Sequence, residues 1–101
     1  MKINIKATKV MLSAQQREQI EAKFSGLDKY YDRILSLDVE LGREVSGQKK
    51  GEIYFCEANA SVPGNLLRYR KAFSDLTKAV NGVYRGMQQE LKKEKEKNLK
   101  K

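Results

Sequence analysis

Residues 76 to 91 place Leu76, Val80, Val83, Met87 and Leu91 at spacings of four, three, four and four. At about 100° per residue this is one apolar stripe along an α-helix. A helix with a single apolar stripe has to bury it against another layer, so the stretch demands a partner surface elsewhere in the chain. Its opposite side is equally regular. Lys78, Arg85 and Lys92 follow at intervals of seven, and each such step drifts only about 20°, which lines three cations along the water-facing side. Lys93 widens that row.

The rest of the chain supplies the partner layer. KINIKA (2–7) alternates strictly, with Ile3, Ile5 and Ala7 on one face and Lys2, Asn4 and Lys6 on the other, as a half-buried strand does. Ser13 is placed to cap a first amphipathic helix, in which Ile20, Phe24, Leu27 and Tyr31 recur at spacings of four, three and four. Gly26 weakens that helix by about 1 kcal/mol relative to Ala. From Ile34 the period becomes two, with Leu35, Leu37, Val39 and Leu41 alternating with Ser36, Asp38 and Glu40. SGQKKG (46–51) reads as a turn or loop. A third strand follows in EIYFCEANASV, where Cys56, Ala58, Ala60 and Val62 share one face; Ile53 and Phe55 fall out of phase, which implies a bulge or a second face that is partly covered. Pro63 and Gly64 in VPGN make a tight turn into LLRYRKAF, giving a hairpin, and Ser74 or Asp75 caps the last helix. The order β-α-β-β-β-α predicts an α+β two-layer sandwich, a four-stranded sheet with two helices packed on one face. A single domain is expected over 1–92. KKEKEKNLKK loses the apolar stripe after Leu91 apart from Leu99, so 93–101 reads as a basic, mobile tail or a fraying helix end.

At 101 residues the chain is sized for one core. It carries 21 Lys and Arg against 13 Asp and Glu, a net +8, with the excess leaning to the C-terminal half. Such a balance favours a polyanion as partner, because phosphates attract Lys and Arg and release counterions on binding. Catalysis is poorly supplied. There is no histidine, which removes the commonest general base and metal ligand, and a single cysteine makes neither a disulfide nor a zinc site. Cys56, on the side of Ala58 and Ala60, reads as a buried structural thiol. No Gly-rich phosphate loop is present. The expectation is therefore a non-enzyme with no cofactor, no metal and no small-molecule substrate. MKINIKATKV has no continuous apolar run, so neither a signal peptide nor a membrane span is expected, and the lone thiol fits a cytoplasmic location.

Three groups of cations are candidates for an anionic partner. The first is Lys78, Arg85, Lys92 and Lys93 in the last helix. In the first helix Arg17 and Lys23 flank the apolar stripe, about 60° to either side of Ile20, while Lys29 points away from it. The third is Arg68, Arg70 and Lys71 around Tyr69. Basic residues interleaved with an aromatic suit phosphate contact with base stacking, and the same composition also blunts the edge of a sheet. Two helices side by side on one sheet face bring their outward cations to one groove, an arrangement that fits a shaped RNA surface read through phosphates and 2′-hydroxyls. A basic protein-interaction module and a general double-stranded RNA binder are the alternatives.

"SAQQREQIEAKFSGLDKYYDRI", preceded by KINIKATKV and followed by LSLDVEL, resembles the ribosome hibernation-promoting factor and ribosome-associated inhibitor family (HPF/YfiA). The likeness continues through "VPGNLLR" into "SDLTKAVNGVYRGMQQELKKEKEK" and so spans nearly the whole chain. It implies the same β-α-β-β-β-α fold, like that of double-stranded RNA-binding domains. It also implies binding to small-subunit rRNA in the channel between head and body, which blocks the messenger and transfer RNA sites in resting cells. The implied RNA-binding residues are Arg17, Lys23, Lys29 and Arg33 in the first helical segment and Lys92, Lys93 and Lys95 at the basic end of the second. Thr77, Lys78 and Asn81 depart from the family's usual residues early in the last helix, and Gly86 and Gln89 stand where the family tends to carry Lys and Arg. Long relatives add a C-terminal domain that pairs ribosomes; this length corresponds to the short form.

Overall fold

A computed structural model describes residues 1–44 and 53–99. Its elements are β1 (Lys2–Thr8), α1 (Ala14–Ser25), a 3-10 turn (Gly26–Lys29), β2 (Ser36–Arg43), β3 (Tyr54–Val62), β4 (Asn65–Phe73) and α2 (Leu76–Leu99). The expected loop at 46–51 lies outside the described residues.

Local chemistry sets each boundary. Ser13 caps α1 through a reciprocal capping box: its hydroxyl accepts from the Gln16 backbone N–H at 3.1 Å, and its own N–H donates to the Gln16 side chain at 2.9 Å. The α-helix ends at Gly26, and the chain continues as a single 3-10 turn. Gly26 thus stops the α-helix where the sequence had suggested only a weak point within it. Asp75 caps α2, its carboxylate accepting from the N–H groups of Thr77 at 2.7 Å and Lys78 at 3.3 Å. Pro63 and Gly64 form the two-residue loop between β3 and β4, with Gly64 at φ 74°, a conformation that glycine adopts without a Cβ penalty.

The strands are ordered β1-β2-β3-β4. β1 runs parallel to β2, with α1 in the connection, and the other two pairs are antiparallel. Leu37, Val39, Leu41, Cys56, Ala58, Ala60, Val62 and Leu67 point to one face and are buried there against Phe24, Leu27, Tyr31, Ala79, Val80, Val83, Met87 and Leu91. All five members of the α2 stripe thus join this core, with Leu76 partly buried at its margin. Both helical segments cover the same side of the sheet, as the two-layer expectation required. Leu35, counted in the alternating run, precedes β2 and is 60% exposed.

Phe55 resolves the break of phase in the third strand. The pairing registers run unbroken through it, so there is no bulge. It lies on the face away from the helices and is nonetheless 5% exposed, because the Arg70 guanidinium stacks 4.3 Å from its ring centroid. The second face is thus partly covered by a long cationic side chain.

Candidate nucleic-acid interface

The structure divides the predicted cations between two faces. On the open face of the sheet the register builds transverse rows: Lys6–Glu40–Glu57–Arg70 and Asn4–Asp38–Asn59–Arg68. The acids of these rows lie on the central strands and the cations on the outer ones, with Asn4 and Asn59 as neutral members, and most are tied together. Arg68 and Arg70 donate to the two Glu57 oxygens at 2.9 and 3.1 Å, Arg70 also pairs with Glu44, Thr8 donates to Glu40 at 2.6 Å, and Asn4 donates to Asp38 at 2.8 Å. Burial pushes the Glu57 carboxyl up, but hydrogen bonds from Asn59, Arg70 and Arg68 outweigh it and hold the group below its ordinary value. The Arg68 and Arg70 charges are therefore largely neutralised in place. Lys71 projects to the helix side of the same edge strand, over the Tyr69 ring at 5.8 Å.

On the helix side the predicted residues take different positions. Arg17 turns toward the sheet and donates from its guanidinium to the Ile5 carbonyl at 2.8 Å. That bond ties α1 to the edge strand β1, so Arg17 serves the fold directly. Lys23, on the other flank of the stripe, reaches α2 and lies 4.8 Å from the Tyr84 ring centroid. Lys29 ends the 3-10 turn. There the helical period tightens from about 100° to about 120° per residue, and the ammonium is directed onto the Tyr30 ring at 5.6 Å. Lys29 is exposed, as its spacing from the stripe implied. Lys92 approaches the same Tyr30 ring from α2, at 5.4 Å. Lys78 and Arg85 are exposed on α2 and make no ion pair among the described residues. Lys93 pairs with Glu90 at 3.6 Å. Arg33, in the turn before β2, and Lys95, on α2, are exposed and outside this grouping.

The structure therefore joins Lys23, Lys29 and Lys92 around two tyrosines that the sequence reading did not single out. Phe24 meets Tyr84 edge-on, with centroids 5.9 Å apart, which holds the α1–α2 seam together. Burial first, and the neighbouring Tyr30 second, raise the Tyr84 phenol above its usual value. The available signal was an aromatic one position off the apolar stripe beside a basic residue, in "DKYYD" and "VYR", but only the packed helices bring the two together. The outer side of α1, by contrast, presents Gln15, Glu18, Gln19 and Glu21. The predicted cations Lys23, Lys29, Lys78, Arg85 and Lys92, without a carboxylate partner among the described residues, thus lie along the water-facing row of α2 and its seam with the 3-10 turn.

Gly86 has a packing reason. A Cβ there would lie 2.1 Å from Cε2 of Tyr69, so the absence of a side chain lets α2 rest on the tyrosine of the edge strand. Further along, α2 runs continuously past position 92, and Glu94 is buried, accepting from the Asn65 side chain at 3.1 Å. Among the described residues no group of His, Cys, Asp or Glu is arranged to hold a metal ion, and no helix is long and apolar enough to cross a membrane.

Comparison with known proteins places this architecture. The family model described as sigma 54 modulation protein / S30EA ribosomal protein matches residues 3–99. The chain belongs to that family. Among solved structures, the N-terminal domain of Thermus thermophilus Protein Y superposes with a TM-score of 0.76 at 23% identity, covering 92% of this chain and 98% of the other. A ribosomal subunit interface protein from Coxiella burnetii gives 0.77 at 22% identity, covering 94% and 98%. At those identities the likeness establishes the fold, and the resemblance to the hibernation-factor family read from the sequence is borne out. No curated protein matches this chain.

Proposed function

We propose that this protein is a ribosome-associated translation inhibitor that docks its basic helix layer on rRNA of the small ribosomal subunit and blocks the messenger and transfer RNA sites by occupancy. The observation that carries the reading is the asymmetry of charge. Lys23, Lys29, Lys78, Arg85 and Lys92 have no carboxylate partner among the described residues, whereas Arg68 and Arg70 on the opposite face are paired to Glu57. Unpaired cations on a rigid two-helix surface suit phosphate contact, while a face with its own acids in the centre repels a polyanion. The family description names a ribosomal protein, and the Coxiella burnetii relative is named for the ribosomal subunit interface; both are consistent with this partner. Action is by binding, without catalysis or cofactor, in the cytoplasm. In this reading residues 1–92 are the ribosome-binding domain and 93–101 its basic extension, the described part of which continues α2. Arg33, Lys93 and Lys95 lie at the margins of the contact, and Arg17 acts there chiefly by positioning α1.

Co-sedimentation with purified small subunits tests the reading. With about six phosphates neutralised, log affinity falls against log salt with a slope of about −4 to −5. Replacing both Arg85 and Lys92 by Ala lowers affinity and slope together and leaves stability within about 0.5 kcal/mol per site. Binding that is independent of salt refutes the mechanism. Binding that survives nuclease treatment assigns the basic face to a protein partner instead, and equal competition by a plain RNA duplex assigns it to double-stranded RNA in general.

A further inference from the structure

The seam between the 3-10 turn and α2 has a composition that phosphate contact alone does not require. Tyr30 sits directly after the turn, its backbone fixed by the N–H donated to the Leu27 carbonyl at 3.0 Å, and the next residue, Tyr31, is buried in the core. The main chain at Tyr30 is thereby held in place. Its ring is only partly buried, and two ammonium groups from different elements, Lys29 and Lys92, stand within 6 Å of its centroid. Lys23 and Tyr84 adjoin it along the same seam. None of the three lysines has an acidic partner among the described residues, whereas Lys93, one position from Lys92, pairs with Glu90.

A partly exposed ring offers a face for stacking, and the two ammoniums that lie over it, free of carboxylates, can move onto the phosphates of a nucleotide whose base takes their place. Together they have the recognition chemistry of single-stranded nucleic acid, where bases stack on aromatics and cations follow the backbone. A duplex offers no such contact, because its base faces are already stacked within the helix. We propose that Tyr30, with Lys29 and Lys92, binds one unpaired RNA nucleotide, its base stacked on the Tyr30 ring and its flanking phosphates held by the two ammoniums. Lys23 extends the phosphate track along the seam. This inference rests on the RNA-binding reading above and narrows it to an unpaired nucleotide at a defined place.

The test uses the full chain, a fluorescently labelled mixed-sequence single-stranded oligoribonucleotide, its duplex, and purified small subunits. Tyr30→Leu keeps an apolar side chain without a π face, and Tyr30→Phe keeps the ring without the hydroxyl. The expected result is a loss of about 5- to 150-fold in affinity for the single strand in Tyr30→Leu, with the salt slope unchanged, and affinity within about twofold of wild type in Tyr30→Phe. Lys92→Ala lowers affinity and reduces the slope by about one. In the wild type, the Tyr30 ring-proton resonances shift upfield when the single strand is added, which reports stacking even if Tyr30→Leu fails to fold. Unshifted resonances in the bound wild type, or subunit binding that is unaltered in folded Tyr30→Leu, overturn the nucleotide site and leave the ribosome reading standing. Tyr30-dependent binding of the single strand without subunit binding supports the site and refutes the ribosome reading. A wild type that binds neither RNA overturns both.

Discussion

Replacing Gly86 by Ala sets two well-defined effects against each other. In an isolated helix the change gains about 0.8–1.0 kcal/mol from propensity alone. Here the new methyl would lie 2.1, 2.3 and 2.4 Å from Cε2, Cζ and Cδ2 of Tyr69, far inside the roughly 3.5–4.0 Å at which carbon atoms attract. Backbone retreat of α2 would unpack Val83 and Met87, both fully buried, so the ring has to leave. An aromatic side chain buries about 150–250 Å², and returning some 100 Å² of it to water costs about 2.5 kcal/mol at 25 cal/mol/Å². The clash therefore outweighs propensity, and Gly86→Ala is destabilised by about 1.5 kcal/mol, a drop of roughly 6–12 °C in Tm for a domain of this size. The decisive measurement is a double-mutant cycle by thermal and urea denaturation. On a Tyr69→Ala background the obstacle is gone, and Gly86→Ala becomes stabilising by about 1 kcal/mol. If it stabilises the wild type as well, the ring is not pinned beneath α2 and the packing argument fails.

The remaining predictions concern the open face, the core and the helix anchor. Glu57→Gln loses the charge that Arg68 and Arg70 share and costs about 1–2 kcal/mol by urea denaturation at neutral pH. Because the folded Glu57 carboxyl lies below its ordinary value near 4.5, its stabilisation is fully present above that value and is lost as pH falls through the lower folded one; acid melts should show the wild type losing its advantage over Glu57→Gln there, and parallel curves contradict the assignment. The Cys56 thiol is pushed up to about 12, by burial first and then by Glu57, with Arg70 opposing, so at pH 8 it should react with iodoacetamide only at the rate of unfolding, and rapid native-state labelling refutes its burial. Arg17→Gln breaks the bond to the Ile5 carbonyl and should lower stability by about 1 kcal/mol, unlike Lys78→Ala, for which no change beyond about 0.5 kcal/mol is expected.

Elements governed by short-range rules were legible in the amino-acid order. The α2 stripe and the alternation of Leu37, Val39 and Leu41 state which side of an element avoids water, and burial follows them closely, while Ser13 marks where α1 begins. Where one rule gave way to another the reading stopped. The apolar spacing of the first helix runs on through Tyr31, but the chain leaves the α-helix at Gly26 for a 3-10 turn. Phe55 broke the alternation of its strand, and its cover comes from Arg70, one strand away.

The candidate site was legible as a set of cations and not as a place. Periodicity distinguishes the inward from the outward side of a helix, but it says nothing of what stands opposite that side. Arg17 and Lys23 flank the same stripe symmetrically, yet one meets the carbonyl of an edge strand and the other the ring of Tyr84, because β1 lies to one side of α1 and α2 to the other. Arg68 and Arg70 are cations like Lys92, but the fold seats them beside Glu57 and, for Arg70, Glu44, which offsets their attraction for a polyanion. Apolar spacing encodes burial locally through water avoidance. Whether a charge is neutralised, spent on the fold or left for a partner is decided by groups tens of residues distant that only the packed sheet and helices bring within a few ångströms.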